Sequence, residues 1–148
     1  MGDIRILLVD DEEDFISTIS ELLDLRNLAS ETAFNGEQAI GYVGEKEPDV
    51  MVLDLKMPGI DGMEVLRQVR KLYPNIQVII HTGHGNDLDE AEARSLGVFD
   101  YLKKPVDIEL LVERIKAAYR ASHASADAMS AVTFAEEGDF ETARMMAK

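Results

Sequence analysis

The chain has 148 residues, 46% of them hydrophobic and 30% charged, with 15 Lys and Arg against 29 Asp and Glu for a formal charge of −14. That is the size of one domain with a short appendage, and an ordinary globular composition, which excludes disordered, fibrous and collagen-like classes. The negative balance argues against direct nucleic-acid binding, and the absence of cysteine excludes disulfides, thiolate metal sites and cysteine nucleophiles.

Along the first 120 residues, strand and helix patterns alternate. Ile4–Val9 is a continuous apolar run of strand length, and Phe15, Ile16, Ile19, Leu22 and Leu23 then recur at helical spacing. Leu28–Phe34 is a weaker, alternating strand, and Asn35-Gly36 opens a short helix carrying Ala39, Ile40 and Val43. Val50–Leu53 is a buried-strand run, and KMPGIDG (Lys56–Gly62) is a loop by its Pro and Gly content. The next helix presents Met63, Leu66, Val69 and Leu72 on one face and stops at Pro74. Arg67, Arg70 and Lys71 on it read as a solvated basic face.

Ile76–Ile80 is the third strongly apolar run. A Gly-rich turn, Gly83-His84-Gly85, leads to a helix from about Asp87 to Leu96, closed by Gly97. Val98–Leu102 is the last strand, and a final helix from Pro105 turns Ile108, Leu111, Val112, Ile115 and Tyr119 inward. Residues 121–148 change in composition to an Ala-rich, helix-prone extension broken at Gly138-Asp139. Met129, Phe134, Phe140, Met145 and Met146 give that extension an adaptable apolar surface. The expected domains are therefore 1–120 and a helical tail, 121–148.

Five strands alternating with five helices predict an α/β fold, a doubly wound parallel sheet covered on both faces. The first, third and fourth strands are apolar throughout, which suits central positions, and the more polar second and fifth belong at the edges. The order is then the flavodoxin-like 2-1-3-4-5, with ligands bound at the carboxyl ends of strands beside the switch point between the first and third strands. Asp10, Asp11 and Asp54 fall there, and Thr82 and Lys104 end the fourth and fifth strands. Asp10-Asp11 alone would serve equally as a helix N-terminal cap. Three converging carboxylates, however, repel one another unless a hard divalent cation neutralises them, and Mg2+ with its oxygen ligands suits such a site.

VDDE at the first strand end, VLDLKMPGIDG after the third, HTGHG at the fourth and DYLKKP at the fifth resemble the receiver domain of bacterial two-component response regulators. The resemblance covers about residues 3–120, and its wording at HTGHG and DYLKKP is most similar to receivers of sigma-factor-dependent transcriptional activators. It implies that Asp54 is the phosphoacceptor, that Asp10, Asp11 and the Lys56 backbone carbonyl join Asp54 around Mg2+, and that Thr82 and Lys104 contact the phosphoryl group. It implies a cis peptide between Lys104 and Pro105, and a switch role for Tyr101 with Thr82.

The implied function is a phosphorylation-controlled protein-interaction switch, not an enzyme acting on other molecules. The alternative is a phosphate sink or phosphotransfer intermediate without conformational output. The implied partners are a sensor histidine kinase or phosphotransfer protein and a downstream target protein. A homodimer through the face of the fourth helix, fifth strand and fifth helix, or through the tail, is compatible with the same resemblance. A haloacid-dehalogenase type of hydrolase wants a second Asp two residues after the nucleophile, where this chain has Lys56. No apolar run approaches the ~20 residues of a membrane span, and the N-terminus carries neither a signal-peptide nor a myristoylation pattern, so the cytoplasm is the expected compartment. His84 reads as a solvent-facing loop residue, His81 as facing a helix layer, and Lys103 as a surface charge.

Overall fold

A computed structural model describes residues 3–83 and 85–131. Five strands, β1 (Ile6–Val9), β2 (Ser30–Ala33), β3 (Val50–Leu53), β4 (Gln77–Thr82) and β5 (Asp100–Lys103), form one parallel sheet in the order β2-β1-β3-β4-β5. Between and after them lie α1 (Glu13–Asp24), α2 (Gly36–Glu45), α3 (Gly62–Leu72), α4 (Asp87–Ser95) and α5 (Ile108–Ala131). The apolar runs are the central strands and the polar ones the edges, because only a strand covered on both faces must be hydrophobic at every position.

The two faces have separate cores. Leu7, Val9, Met51, Leu53, Val78 and Ile80 pack with residues of α2, α3 and α4. Ile6, Leu8, Val50, Val52 and Ile79 pack with Ile16, Ile19 and Leu23 of α1 and Leu111, Val112 and Ile115 of α5. Successive strand residues alternate between these layers, as the pleat requires.

Local signals explain the boundaries. Asn35, Asp61 and Asn86 cap α2, α3 and α4 by accepting the backbone N–H of Gln38, Glu64 and Asp89, and Asp89 returns a bond to Asn86 to complete a capping box. Gly97 closes α4 with φ of 87°, a left-handed conformation that glycine adopts without cost. The α3 stripe differs from expectation: Val65 is buried with Met63, Leu66 and Val69, whereas Leu72 is 60% exposed. Leu72 is the last helical residue, at the end of α3 where the buried stripe has already stopped at Val69.

The basic face of α3 is also not simply solvated. Arg67 pairs with Glu64 and Glu92, and Arg70 donates to the carbonyls of Leu96, Pro74 and Ile76, tying α3 to the turns that flank β4 and α4. The last helix begins at Ile108 and continues through residue 120 to Ala131 without a break, so the compositional change at 121 falls inside α5. Phe134, Phe140, Met145 and Met146 lie outside the described residues, as do His84 and the side chain of Met129.

Candidate functional site at the carboxyl edge of the sheet

The sheet ladder itself delivers the two buried carboxylates. The Asp10 N–H donates to the Ala33 carbonyl at 3.1 Å and the Asp54 N–H to the Val9 carbonyl at 2.9 Å, so each residue continues its strand by one step before the chain turns away. Val9 and Leu53 are in register, which sets Asp10 beside Asp54. Asp11 follows on the rim. Ligand oxygens of Asp10, Asp11 and Asp54 all lie within 4.8 Å of one another.

Lys104 reaches the same spot from β5, whose register pairs Lys103 with Thr82. Its ammonium lies 2.6 Å from Asp10 Oδ2, 3.0 Å from Glu12 Oε1 and 3.6 Å from Asp54 Oδ2. The peptide bond from Lys104 to Pro105 is cis. Thr82, at the end of β4, makes a side-chain hydrogen bond with Asp54, and the Lys56 N–H donates to Asp54 Oδ1 at 3.3 Å. An open depression of about 450 Å³ above these groups is lined by Asp11, Glu12, Asp54 and Lys56.

Electrostatics matches the crowding. Asp54 is only 3% exposed, and its burial raises its pKa above the usual carboxylate value; the neighbouring Asp10 charge adds to the rise, while Thr82, Lys104 and the Lys56 N–H oppose it without cancelling it. Burial alone would lower the Lys104 pKa, but its hydrogen bonds to Asp10 and Glu12 and the field of Asp54 outweigh that and leave it raised. One lysine thus faces Asp10, Glu12 and Asp54 while Asp11 stands on the rim, an acidic excess that favours a bound cation.

The donor set fits Mg2+: three hard carboxylate oxygens, close together beside an open depression, resemble the ligands this ion takes while keeping several waters.

Of the remaining expected residues, Tyr101 is 6% exposed and turned inward, its hydroxyl without a hydrogen-bond partner among the described residues. It packs against Gly85, where a Cβ would overlap the Tyr101 hydroxyl. His81 is buried against a helix layer, with its ring 5.8 Å from that of Phe15 on α1, and Lys103 is exposed. At Gly83, beside Thr82, a Cβ would meet Lys104 at ordinary contact distance.

Three residues at the site escaped sequence reasoning. Glu12 and Phe15 both touch the Lys104 ammonium, and Gly62 lets the start of α3 close on β3, donating its N–H to the Leu55 carbonyl at 2.8 Å. A Cβ at Gly62 would overlap the Asp54 carbonyl oxygen and Leu55 Cα. Glu12 could have been found as a third acid after Asp10-Asp11; Phe15 had no signal beyond its helical spacing.

Residues 6–116 match the family of the response regulator receiver domain. The chain belongs to that family. The receiver is 38% identical over 119 residues to the transcriptional regulatory protein CpxR of Klebsiella pneumoniae subsp. pneumoniae (strain HS11286), a match covering 80% of this chain and 50% of that protein. This chain therefore spans about half the length of that curated relative. Among solved structures, the receiver superimposes on a response regulator receiver domain protein from Clostridium thermocellum with a TM-score of 0.75 at 36% identity, covering 81% of this chain and 97% of that one. A CheY-like receiver domain protein from Methanospirillum hungatei JF-1 gives a TM-score of 0.81 at 24% identity, covering 84% and 99%, and so speaks for the fold. No helix among the described residues is long and apolar enough to cross a membrane.

Proposed function

We propose that this receiver accepts a phosphoryl group on Asp54 from a phosphohistidine of a sensor kinase or phosphotransfer protein, and that the modification switches its contacts with a downstream protein. The observation that carries the reading is the position of Lys104, its ammonium at 3.6 Å from Asp54 and 2.6 Å from Asp10, at the point where three carboxylates converge.

In this reading an Asp54 carboxylate oxygen attacks phosphorus in line with the departing imidazole nitrogen. An O–P bond forms, the N–P bond breaks, and the imidazole keeps the electron pair. Catalysis of such a transfer is mainly positioning and charge neutralisation. Asp10, Asp11, Asp54 and the Lys56 carbonyl would hold Mg2+, which, when bound, neutralises the carboxylates and the incoming phosphoryl oxygens. The Lys104 ammonium supplies a second positive charge, and the Thr82 hydroxyl donates to a phosphoryl oxygen. The product is an acyl phosphate that water reopens, which makes the mark temporary; the chain catalyses this cycle on itself and no reaction on other substrates.

The output belongs to Tyr101. A phosphoryl group adds negative charge and acceptor oxygens at Asp54 and draws Thr82 toward it. Tyr101 is already inward beside Gly85, so phosphorylation acts by weighting an available arrangement of α4, β5 and α5 rather than by creating one. That face takes the target protein or a second copy. With a charge of −14, the receiver itself makes no direct contact with nucleic acid, and its compartment in this reading is the cytoplasm.

Incubation with acetyl phosphate and Mg2+ tests the reading. Intact mass should show a single hydroxylamine-sensitive adduct in the wild type and none in Asp54→Ala. An adduct that persists in the variant, or none in either protein, overturns it.

A further inference from the structure

We infer that Phe15 is a positioning residue for Lys104, its ring face fixing where the ammonium stands between Asp10, Glu12 and Asp54. The inference rests on the proposal that Asp54 is phosphorylated with the help of Lys104. A lysine ends in a compact charge on a flexible four-carbon stem, so its place must be set by what surrounds the stem and head. Three carboxylates attract the head, but attraction alone would let it swing among them.

The geometry assigns the constraint to Phe15. The Lys104 Nζ lies 4.5 Å from the centroid of the Phe15 ring, within the range of a cation–π contact. Gly83 itself brings no side chain against the stem; a Cβ built there would only just touch it, at 3.7 Å from Lys104 Cβ. The ring is itself held, since it packs on the core between the sheet and α1 and lies 5.8 Å from the His81 ring, which is 2% exposed. Burial, reinforced by the Lys104 charge, lowers the His81 pKa to about 4, so a neutral imidazole backs the ring at pH 7.

An aromatic face suits this task better than a further acid. It attracts the ammonium without accepting any of its three N–H groups. Two are taken by Asp10 at 2.6 Å and Glu12 at 3.0 Å, whereas Asp54 Oδ2, at 3.6 Å, lies beyond hydrogen-bond length and does not take the third. The third N–H is thus kept for an incoming phosphoryl oxygen, and the ring keeps the ammonium in place as that oxygen arrives. A contact used chiefly in the transition state affects kcat rather than KM.

The test uses the full chain and the variants Phe15→Leu and Phe15→Tyr, each first shown by thermal unfolding to be folded. With acetyl phosphate and Mg2+, Phe15→Leu should lower kcat for adduct formation roughly three- to tenfold while leaving KM within about twofold, and Phe15→Tyr should stay near wild type. Independently of any phosphoryl donor, proton NMR should place the Lys104 ε-methylene upfield in the wild type and in Phe15→Tyr, through the ring current. In Phe15→Leu that shift should disappear, and Lys104→Met identifies the signal by its loss. A wild-type ε-methylene at its random-coil position, or equal kcat in wild type and Phe15→Leu, overturns the inference alone. Absence of any wild-type adduct overturns the phosphorylation reading, and the kinetic role of Phe15 with it.

Discussion

Lys104 stands closer to Asp10 than to Asp54, at 2.6 Å against 3.6 Å, so the shorter ion pair goes to the carboxylate that the proposed chemistry does not modify. Asp10 is 1% exposed, and among the described residues its ion pair is with Lys104. Lys104→Met should therefore destabilise the metal-free protein by about 2 kcal/mol, because it leaves a buried charge without its partner. Urea denaturation with chelator present checks this; a loss below about 0.5 kcal/mol would show that Asp10 is solvated well enough to stand alone.

Asp54→Asn should have the opposite sign. Burial raises the pKa of Asp54 above its ordinary value of 3.8, which means that the folded state holds the proton more tightly than the unfolded one. Below both values the two states are equally protonated. As pH rises through this window the unfolded chain ionises first, and the native state loses stability. Near neutral pH, Asp54→Asn removes that penalty and should gain about 1 kcal/mol without metal, the gain vanishing in acid. Added Mg2+ should then stabilise the wild type more than the variant, by mass action at the carboxylate cluster. Chemical denaturation at several pH values, with and without Mg2+, decides the matter.

His81 gives a second pH-dependent element, with the opposite slope. Its pKa falls from 6.5 to about 4, mainly through burial and then through the Lys104 charge. A lowered folded pKa in a base means that the unfolded chain takes up the proton first. The contribution is neutral above about pH 6.5, and stability is lost as pH falls toward 4, by up to about 3 kcal/mol. His81→Leu should flatten this limb of the stability profile; an unchanged slope would place the acid sensitivity elsewhere.

Gly85 and Tyr101 are coupled through space. A Cβ at Gly85 would overlap the Tyr101 hydroxyl, so Gly85→Ala should expel the inward ring. Tyr101→Phe removes a buried hydroxyl that has no partner among the described residues, and should stabilise the protein by up to about 1 kcal/mol. The double variant should recover much of the stability lost in Gly85→Ala. Additive effects would show that Tyr101 does not occupy this place in solution.

The sheet and most of the candidate site were visible in the sequence for one physical reason. Strands buried on both faces must be apolar from end to end, so Asp10 and Asp54 stand out as charges that end such runs, and strand order then brings them together. The parts that were not visible depend on packing across long sequence separations. Nothing in the helical spacing of Phe15 distinguishes a core side chain from one lying over the ammonium of a lysine on β5. Gly62 looks like any loop glycine until α3 is seen pressed against the Asp54 carbonyl. Leu72 fitted the helical stripe, but it is the last residue of α3 and stays 60% exposed, and spacing alone does not tell where along a helix burial stops. Arg70 seemed a surface charge because no sequence pattern announces three main-chain oxygens converging on one guanidinium.

That convergence has a mechanical consequence. Arg70 fastens the Leu96 end of α4 to α3 and to the approach of β4, while nearer the start of the helix Glu92 pairs with Arg67 and Asp89 with Lys56 through exposed, more yielding contacts. A reorientation of α4 has to loosen those exposed pairs before it strains the Arg70 anchor, and at the near end of the helix it draws on Gly85, which lies against the aromatic ring on β5.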